Sequence, residues 1–282
     1  MDLQLKGKRA LVTGSTAGLG EAIVRFLARE GVTVVVHGRN RERAQKIVDD
    51  IGAAGGRAYI ALGAITDDES VADICRQAIE ATGGIDILVN NAGTYPMANW
   101  WESKSEQWLE SYNLDVVSNV RFIQPVVPAM KERGWGRVIQ ISSASAVQVP
   151  ANFFPIYSVS KSAQTFLTKH LAVELTDTGV TVNTVSPGPA SSDNNINLLT
   201  EEARQAGRPT DWPSVEQHYV ETLMDDPPVR RMVRPEEVGP LVAYVASPLA
   251  DAVTGSNFLI DSGYSISGFK RQHQPQEAEA RS

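Results

Sequence analysis

The run Arg9-Ala10-Leu11-Val12-Thr13 passes without a break into Gly14-Ser15-Thr16-Ala17-Gly18-Leu19-Gly20. A short apolar stretch, a GxxxGxG turn and then Leu19, Ile23, Phe26 and Leu27 along one helical face read as strand, sharp turn and helix. Glycines serve such a junction in several ways: they allow the turn, the close approach of backbone to a pyrophosphate, and tight helix–strand packing. The helix start then offers unpaired N–H groups and a partial positive charge to phosphates. Gly14, Ser15, Thr16, Gly18, Leu19 and Gly20 are therefore candidate nucleotide-binding residues. A plain βα turn is the bland alternative, and the motif's place in the first strand–helix unit argues against it.

The rest of the chain repeats the alternation. Strand-like runs at Val32–His37, Arg57–Leu62, Asp86–Asn90, Arg137–Ser142, Val180–Val185 and Asn257–Asp261 are separated by helical patterns at Arg41–Ala53, Asp67–Ala81, Ser103–Lys131, Tyr157–Thr176 and Pro235–Ala246. Near-continuous apolar strands between helices predict a doubly wound α/β fold, a parallel sheet covered on both faces, with ligands beyond the strand C-termini. No linker or internal repeat divides the pattern, so a single domain is expected over residues 1–264. A polar, proline-bearing insertion at about 191–229 stands apart from it and need not be rigid. A flexible tail is expected over 265–282, where Gly268–Ser282 lacks apolar residues after Phe269.

Composition narrows the function classes. With 26 Lys+Arg against 33 Asp+Glu the net charge is -7, and no basic face is concentrated to hold nucleic acid. The lone Cys75 allows no intramolecular disulfide and no multi-cysteine metal site, and its helical, apolar surroundings read as core. No apolar run reaches membrane-spanning length and the N-terminus has no signal-peptide core, so a cytoplasmic location is expected.

At the end of the second strand, where an acid usually holds the ribose of NAD, the sequence reads His37-Gly38-Arg39-Asn40. A carboxylate would repel a 2′-phosphate and a guanidinium can bind it, so NADP(H) is the expected cofactor. The other reading of Arg39 is a solvated charge beside Arg41 and Arg43. His37 reads as a strand-end packing residue.

Tyr157 and Lys161 stand one helical turn apart and share a face. An ammonium beside a phenol favours the phenolate, which suits a general acid for carbonyl reduction. The pair alone is common on protein surfaces. Here it follows TGSTAGLG, Asn90-Asn91-Ala92-Gly93 and Ser142-Ser143, and precedes Ser186-Pro187-Gly188.

Taken in this order, the motifs resemble the short-chain dehydrogenase/reductase family over about Leu5 to Tyr264. The resemblance implies a Rossmann-like sheet of about seven strands, a nicotinamide cofactor and hydride transfer between alcohol and carbonyl. It would make Tyr157 the catalytic acid/base and Lys161 the residue that holds the nicotinamide ribose. Ser143 would bind the substrate oxygen, with Ser142 and Ser145 competing for that role, and Asn113 would position a water in the proton relay. Asn91, Ala92 and Gly93 would lie along the adenosine side, and Pro187 and Gly188 under the nicotinamide. Ser191 or Ser192 would face its carboxamide. Three departures stand out: Ala64 replaces an acid that usually contacts adenine, leaving that contact to the backbone of Ile65; Ser262 replaces a glycine in Asp261-Ser262-Gly263; and Ala146 sits where a glycine commonly follows the serine.

The substrate side is expected to be framed by Thr94–Trp101, Gln148–Ile156 and the 191–229 insertion. Tyr95, Met97, Trp100, Trp101, Phe153 and Phe154 make it aromatic, which suits a ketone with hydrophobic bulk. Those aromatics could equally be core or subunit contacts. By the resemblance, the helices carrying Asn113 and Tyr157 would pair across a two-fold axis into a homodimer or homotetramer. The functions in play are an NADPH-dependent carbonyl reductase, of 3-oxoacyl type or acting on another ketone, and an alcohol dehydrogenase working oxidatively. A catalytically silent cofactor-binding regulator is the third, and the Ser143–Tyr157–Lys161 set argues against it.

Overall fold

The structure, a computed structural model, describes residues 1–96, 98–148, 154–224 and 226–271, with the side chains of 268–271 left aside. Its strands are β1 (Arg9–Val12), β2 (Thr33–Gly38), β3 (Arg57–Leu62), β4 (Ile87–Asn90), β5 (Gly136–Ile141), β6 (Val180–Pro187) and β7 (Asn257–Ile260). They form a single 7-stranded sheet in the order β3-β2-β1-β4-β5-β6-β7, and every pairing is parallel. This is the expected Rossmann-like α/β sheet.

Valine and isoleucine fill the strands because both faces are covered and successive residues alternate between them. Ala10 and Val12 of β1 pack on one side against α1 (Gly18–Arg29), α2 (Arg41–Ala53) and α9 (Pro235–Ala246). Leu11 packs on the other side against residues of α3 (Asp68–Thr82) and α5 (Ser118–Glu132), with α6 (Pro155–Glu174) lying against that layer. Cys75 belongs to the second layer, and burial pushes its thiol up to about 12, so it is core and not a reactive thiol. Strand order reverses between β1 and β4. In such a sheet the ligand crevice forms at this reversal beyond the strand C-termini, and here the glycine turn and Asn90–Gly93 follow the ends of those two strands.

Several segments differ from the sequence reading. The expected continuous helix over Ser103–Lys131 is α4 (Ser105–Tyr112), a π-helical turn over Asn113–Val117, and α5. Asp115, within that turn, is fully buried. The insertion carries two helices, α7 (Asp193–Gln205) and α8 (Trp212–Thr222), because Ser192 and Asp211 each supply an N-cap. The tail begins as helix: α10 (Tyr264–Arg271) is started by Asp261, which accepts the Ser265 amide at 2.9 Å. Ser267 then donates to the Met224 carbonyl at 3.0 Å and ties α10 to the segment after α8. Met97 and Phe153 of the expected aromatic rim, residues 149–152 and the tail beyond 271 lie outside the described residues. No helix among those described is long and apolar enough to cross a membrane.

Candidate active site

The glycine turn is locked from beneath. Ser15 faces inward: its hydroxyl donates to the Val12 carbonyl at 2.7 Å and accepts the His37 amide at 3.0 Å, and its own amide donates to the His37 carbonyl. The His37 ring Nδ1 accepts the Gly14 amide at 3.0 Å, while Nε2 lies 3.3 Å from the Gly63 carbonyl. That pair of contacts requires the neutral Nε2–H tautomer. Burial pushes the ring down to about 4 and keeps it neutral. His37 thus pins the ends of β1, β2 and β3 together, a larger role than strand-end packing.

Asn91 closes the turn from the other side. Its Nδ2 donates to the carbonyls of Thr13 at 2.9 Å and Gly14 at 3.1 Å, and the amides of Asn91 and Ala92 both donate to the Thr13 hydroxyl. Gly14 has φ 63°, and a Cβ there would stand 2.9 Å from Ala92 Cα. Only glycine fits both the conformation and the contact. The N-cap of α1 is Ala17, which provides no side-chain cap, so the first-turn amides of Gly18, Leu19 and Gly20 are left for an outside acceptor. These residues fit a pyrophosphate. Across the turn stands Ser192, whose Cβ would be 3.7 Å from a Cβ on Gly18.

A Cβ on Gly38 would meet the Thr16 side chain at 2.6 Å, which explains why no acid occupies this position. Arg39 follows, exposed and without an ion pair among the described residues, while Asn40 caps α2 by accepting the Arg43 amide. Ile65 packs on the α3 side of the sheet. At the far end of the crevice, Pro187 closes β6, and the Gly188 amide donates to the Ile260 carbonyl at 3.0 Å.

Tyr157 and Lys161 emerge from the first half of α6, and the Lys161 Nζ lies 5.7 Å from the Tyr157 ring centroid. Phe154 leads into the helix at φ 67°, a left-handed conformation at a non-glycine residue. Tyr157 is half-buried and Lys161 buried. The Lys161 ammonium donates to the Ile141 carbonyl and to Gln164 Oε1, each at 3.2 Å, and sits 3.5 Å from Asp115 Oδ1. Ser142 is committed to α6, donating to the Lys161 carbonyl at 3.0 Å and accepting from Thr165. Ser143 accepts the Ser145 amide at 3.1 Å and donates to nothing among the described residues, which leaves its proton for a ligand.

Asn113 is not brought to this cluster. Its amide donates to the Thr66 carbonyl at 3.0 Å and accepts from Arg121 at 2.8 Å, across the helix from Lys161. The residue facing Lys161 is Asp115, two positions on and so on the opposite face of the helical segment from Asn113. An acid set among Leu114, Val116 and Val117 was the signal for it in the sequence.

Of the aromatic residues expected to frame the substrate, Tyr95 and Phe154 lie beside Tyr157, and Trp100 and Trp101 do not pack into the core. The Tyr95 ring lies 4.9 Å from Tyr157, edge on, and 4.7 Å from Phe154. Desolvation and the neighbouring phenols of Tyr219, Tyr157 and Tyr264 hold the Tyr95 phenol above its usual range, and burial pushes Tyr219 up to about 12. The Tyr95 and Tyr219 phenols therefore remain protonated at neutral pH. Trp100 and Trp101 are 63% and 96% exposed, so neither is core. Sequence reasoning missed Tyr219 and Tyr264, and also Glu216, which anchors α8 by pairing with Arg234 at 2.7 Å and accepting the Met232 amide at 3.0 Å.

Comparison with known proteins agrees with this geometry. The family model for short chain dehydrogenase matches residues 8–203. The uncharacterized oxidoreductase YvaG of Bacillus subtilis is 32% identical over 93% of this chain and 98% of its own. The D-beta-hydroxybutyrate dehydrogenase of Rhizobium meliloti is 31% identical over 91% and 98%. Among solved structures, L-sorbose reductase from Gluconobacter frateurii, complexed with NADPH and L-sorbose, superposes with a TM-score of 0.88 at 31% identity, covering 94% of this chain and 99% of that one. A glycine turn with free helix-start amides, a Tyr–Lys pair on one face of α6 and a matching family model agree: the chain belongs to the short-chain dehydrogenase/reductase family, a family of oxidoreductases that bind a nicotinamide cofactor.

Proposed function

We propose that this protein is an NADP(H)-dependent carbonyl reductase in which Tyr157 is the general acid/base. The observation that carries the reading is the placement of a half-buried Tyr157 beside a buried Lys161 ammonium, with the Tyr95 ring edge-on against the phenol. NADPH, held by the Gly14–Gly20 turn, would supply the hydride to the substrate carbon. The Tyr157 hydroxyl gives its proton to the carbonyl oxygen, and the Lys161 ammonium stabilises the phenolate that remains until a proton returns. Ser143 donates its free proton to the same oxygen, an oxyanion-type contact. The same residues run the reverse direction, with the Tyr157 phenolate taking the alcohol proton. Asp115 rather than Asn113 is the neighbour that completes the Lys161 environment.

The choice of NADP(H) rests on the Thr16–Gly38 contact, which leaves no room for an acid, and on the free Arg39 that follows. The NADPH bound in the sorbose reductase structure supports it. The closeness of Ser192 to Gly18 supports it as the cofactor contact from the 191–229 segment. Ile65, Pro187 and Gly188 complete the cradle. Tyr95 and Phe154 offer an apolar face, so the substrate is a ketone with hydrophobic bulk, of 3-oxoacyl type or another. Exposed Leu109, Tyr112, Val159, Phe166 and Val173 on α4 and α6 support pairing of those helices in a homodimer or homotetramer.

The test is the affinity for both reduced cofactors by fluorescence, together with NADPH oxidation across a panel of ketones. NADPH should bind at least tenfold more tightly than NADH, and Arg39→Asp should narrow or reverse that ratio. Equal affinities in the parent would contradict the assigned cofactor.

A further inference from the structure

We infer that Asp115 is a built-in counter-charge to Lys161, and that it sets the pH at which Tyr157 exchanges its proton. The inference rests on the Tyr157 reading above and assigns Asp115 as a positioning residue acting through Lys161. Its side chain is 0% exposed and lies in the π-helical turn, flanked in sequence by Leu114, Val116 and Val117. Oδ1 accepts the Thr94 amide at 2.9 Å and stands 3.5 Å from the Lys161 ammonium. Oδ2 accepts the hydroxyls of Thr94 at 2.8 Å and Ser111 at 2.9 Å, and Ser111 in turn lies 3.1 Å from the Ser160 hydroxyl. A Cβ on Gly93 would stand 2.3 Å from Oδ1, so the cofactor loop is closed directly onto this carboxylate.

Both oxygens accept hydrogen bonds and Oδ1 also faces the Lys161 ammonium, so the buried carboxylate is not left without partners. Lys161 is its only charged partner among the described residues, and Tyr157, with Tyr95 beyond it, is the titratable group on the other side of that lysine. Thr94, Ser111 and Ser160 are neutral. A lone buried ammonium would act on the phenol with its whole charge. Pairing with a fixed carboxylate cancels part of that field and moves proton exchange at Tyr157 to higher pH than Lys161 alone would set.

Neutralising the charge without changing the shape is feasible here. In Asp115→Asn the amide oxygen keeps the Thr94 amide, and the new NH2 group donates to the Thr94 and Ser111 hydroxyls, which rotate to accept. The readout needs no substrate. The protein has seven tyrosines, so the near-ultraviolet tyrosinate absorbance of the full-length chain is titrated with and without Tyr157→Phe, and the difference isolates the Tyr157 step. In Asp115→Asn that step should move acid-ward by about one pH unit, the effect of one charge several ångströms away in a medium of intermediate dielectric. Thr94→Val, which removes a hydrogen bond and keeps the charge, should leave it in place. Asp115→Ser, equally neutral, carries the same test if the asparagine variant fails to fold. A step unmoved in the folded neutral variant, or moved as far by Thr94→Val, overturns the inference. A parent with no Tyr157-dependent step removes it together with the Tyr157 reading.

Discussion

The two sides of the crevice are built differently. On the cofactor side, contacts are made mostly by backbone: the amides of Gly14, Ser15, Asn91 and Ala92 are all engaged within the β1, β2 and β4 ends, and His37 and the Thr13 hydroxyl sit at the knots. On the substrate side, α8 is held by side chains that meet across long stretches of sequence, with Glu216 on Arg234 and Ser267 on the Met224 carbonyl. A small third apolar cluster of Ala144, Val220, Met224, Met232 and Tyr264 lies beneath. Backbone knots tolerate almost no substitution and bind a constant ligand. Side-chain anchors can be exchanged while the scaffold stays intact, which suits a surface that must fit a particular substrate.

Substitutions that cut each kind of tie should therefore fail in different ways. The largest effect is expected from Gly14→Val, which forces a β-branched residue to φ 63° and into Ala92. It should cost about 4 kcal/mol of stability and abolish NADPH binding, read by urea midpoint and cofactor fluorescence. Glu216→Ala comes next. It removes the ion-pair partner of Arg234, which keeps only its bond to the Ser191 hydroxyl, and leaves the Met232 amide without its acceptor, for about 3 kcal/mol. Its signature should be a raised substrate KM with cofactor affinity near the parent's; equal loss of both would erase the contrast between the two sides.

His37 gives a pH-dependent version of the same comparison. Its folded value of about 4 lies below the usual 6.5, so the unfolded chain binds the extra proton between those values. Stability from this group is complete above the upper value and is lost as pH falls toward the lower one. Between neutral pH and about pH 5 the loss should be about 2 kcal/mol, and His37→Gln should flatten the dependence. The smallest change is Ser262→Gly. Ser262 holds φ 58°, and relief of that strain is offset by the flexibility of glycine in the unfolded chain, leaving a gain below about 1 kcal/mol in thermal melting.

The same division decides what could be read in the sequence. The parallel sheet was legible because buried strands must be apolar throughout, and the glycine turn because local geometry demands glycine at Gly14. Tyr157 and Lys161 were legible because their spacing is local to one helix. Asp115 was not, because its partner Lys161 lies far along the chain on α6, and nothing in the local sequence marks that pairing. Glu216 and Tyr264 were missed because their partners are distant in sequence, and the tail's polar composition hid the helix that Asp261 starts. His37 looked like packing because its value lies in ring nitrogens aimed at the Gly14 amide and the Gly63 carbonyl, which only the folded sheet brings near.

The central claim, that Tyr157 is the acid/base of an NADPH-dependent carbonyl reduction, is tested most directly by comparing Tyr157→Phe with the parent on whichever ketone of the panel the parent reduces. The account predicts turnover lowered by at least about 1,000-fold, which corresponds to about 4 kcal/mol of lost transition-state stabilisation, with NADPH affinity within about twofold of the parent. Turnover retained in Tyr157→Phe with NADPH still bound would contradict it.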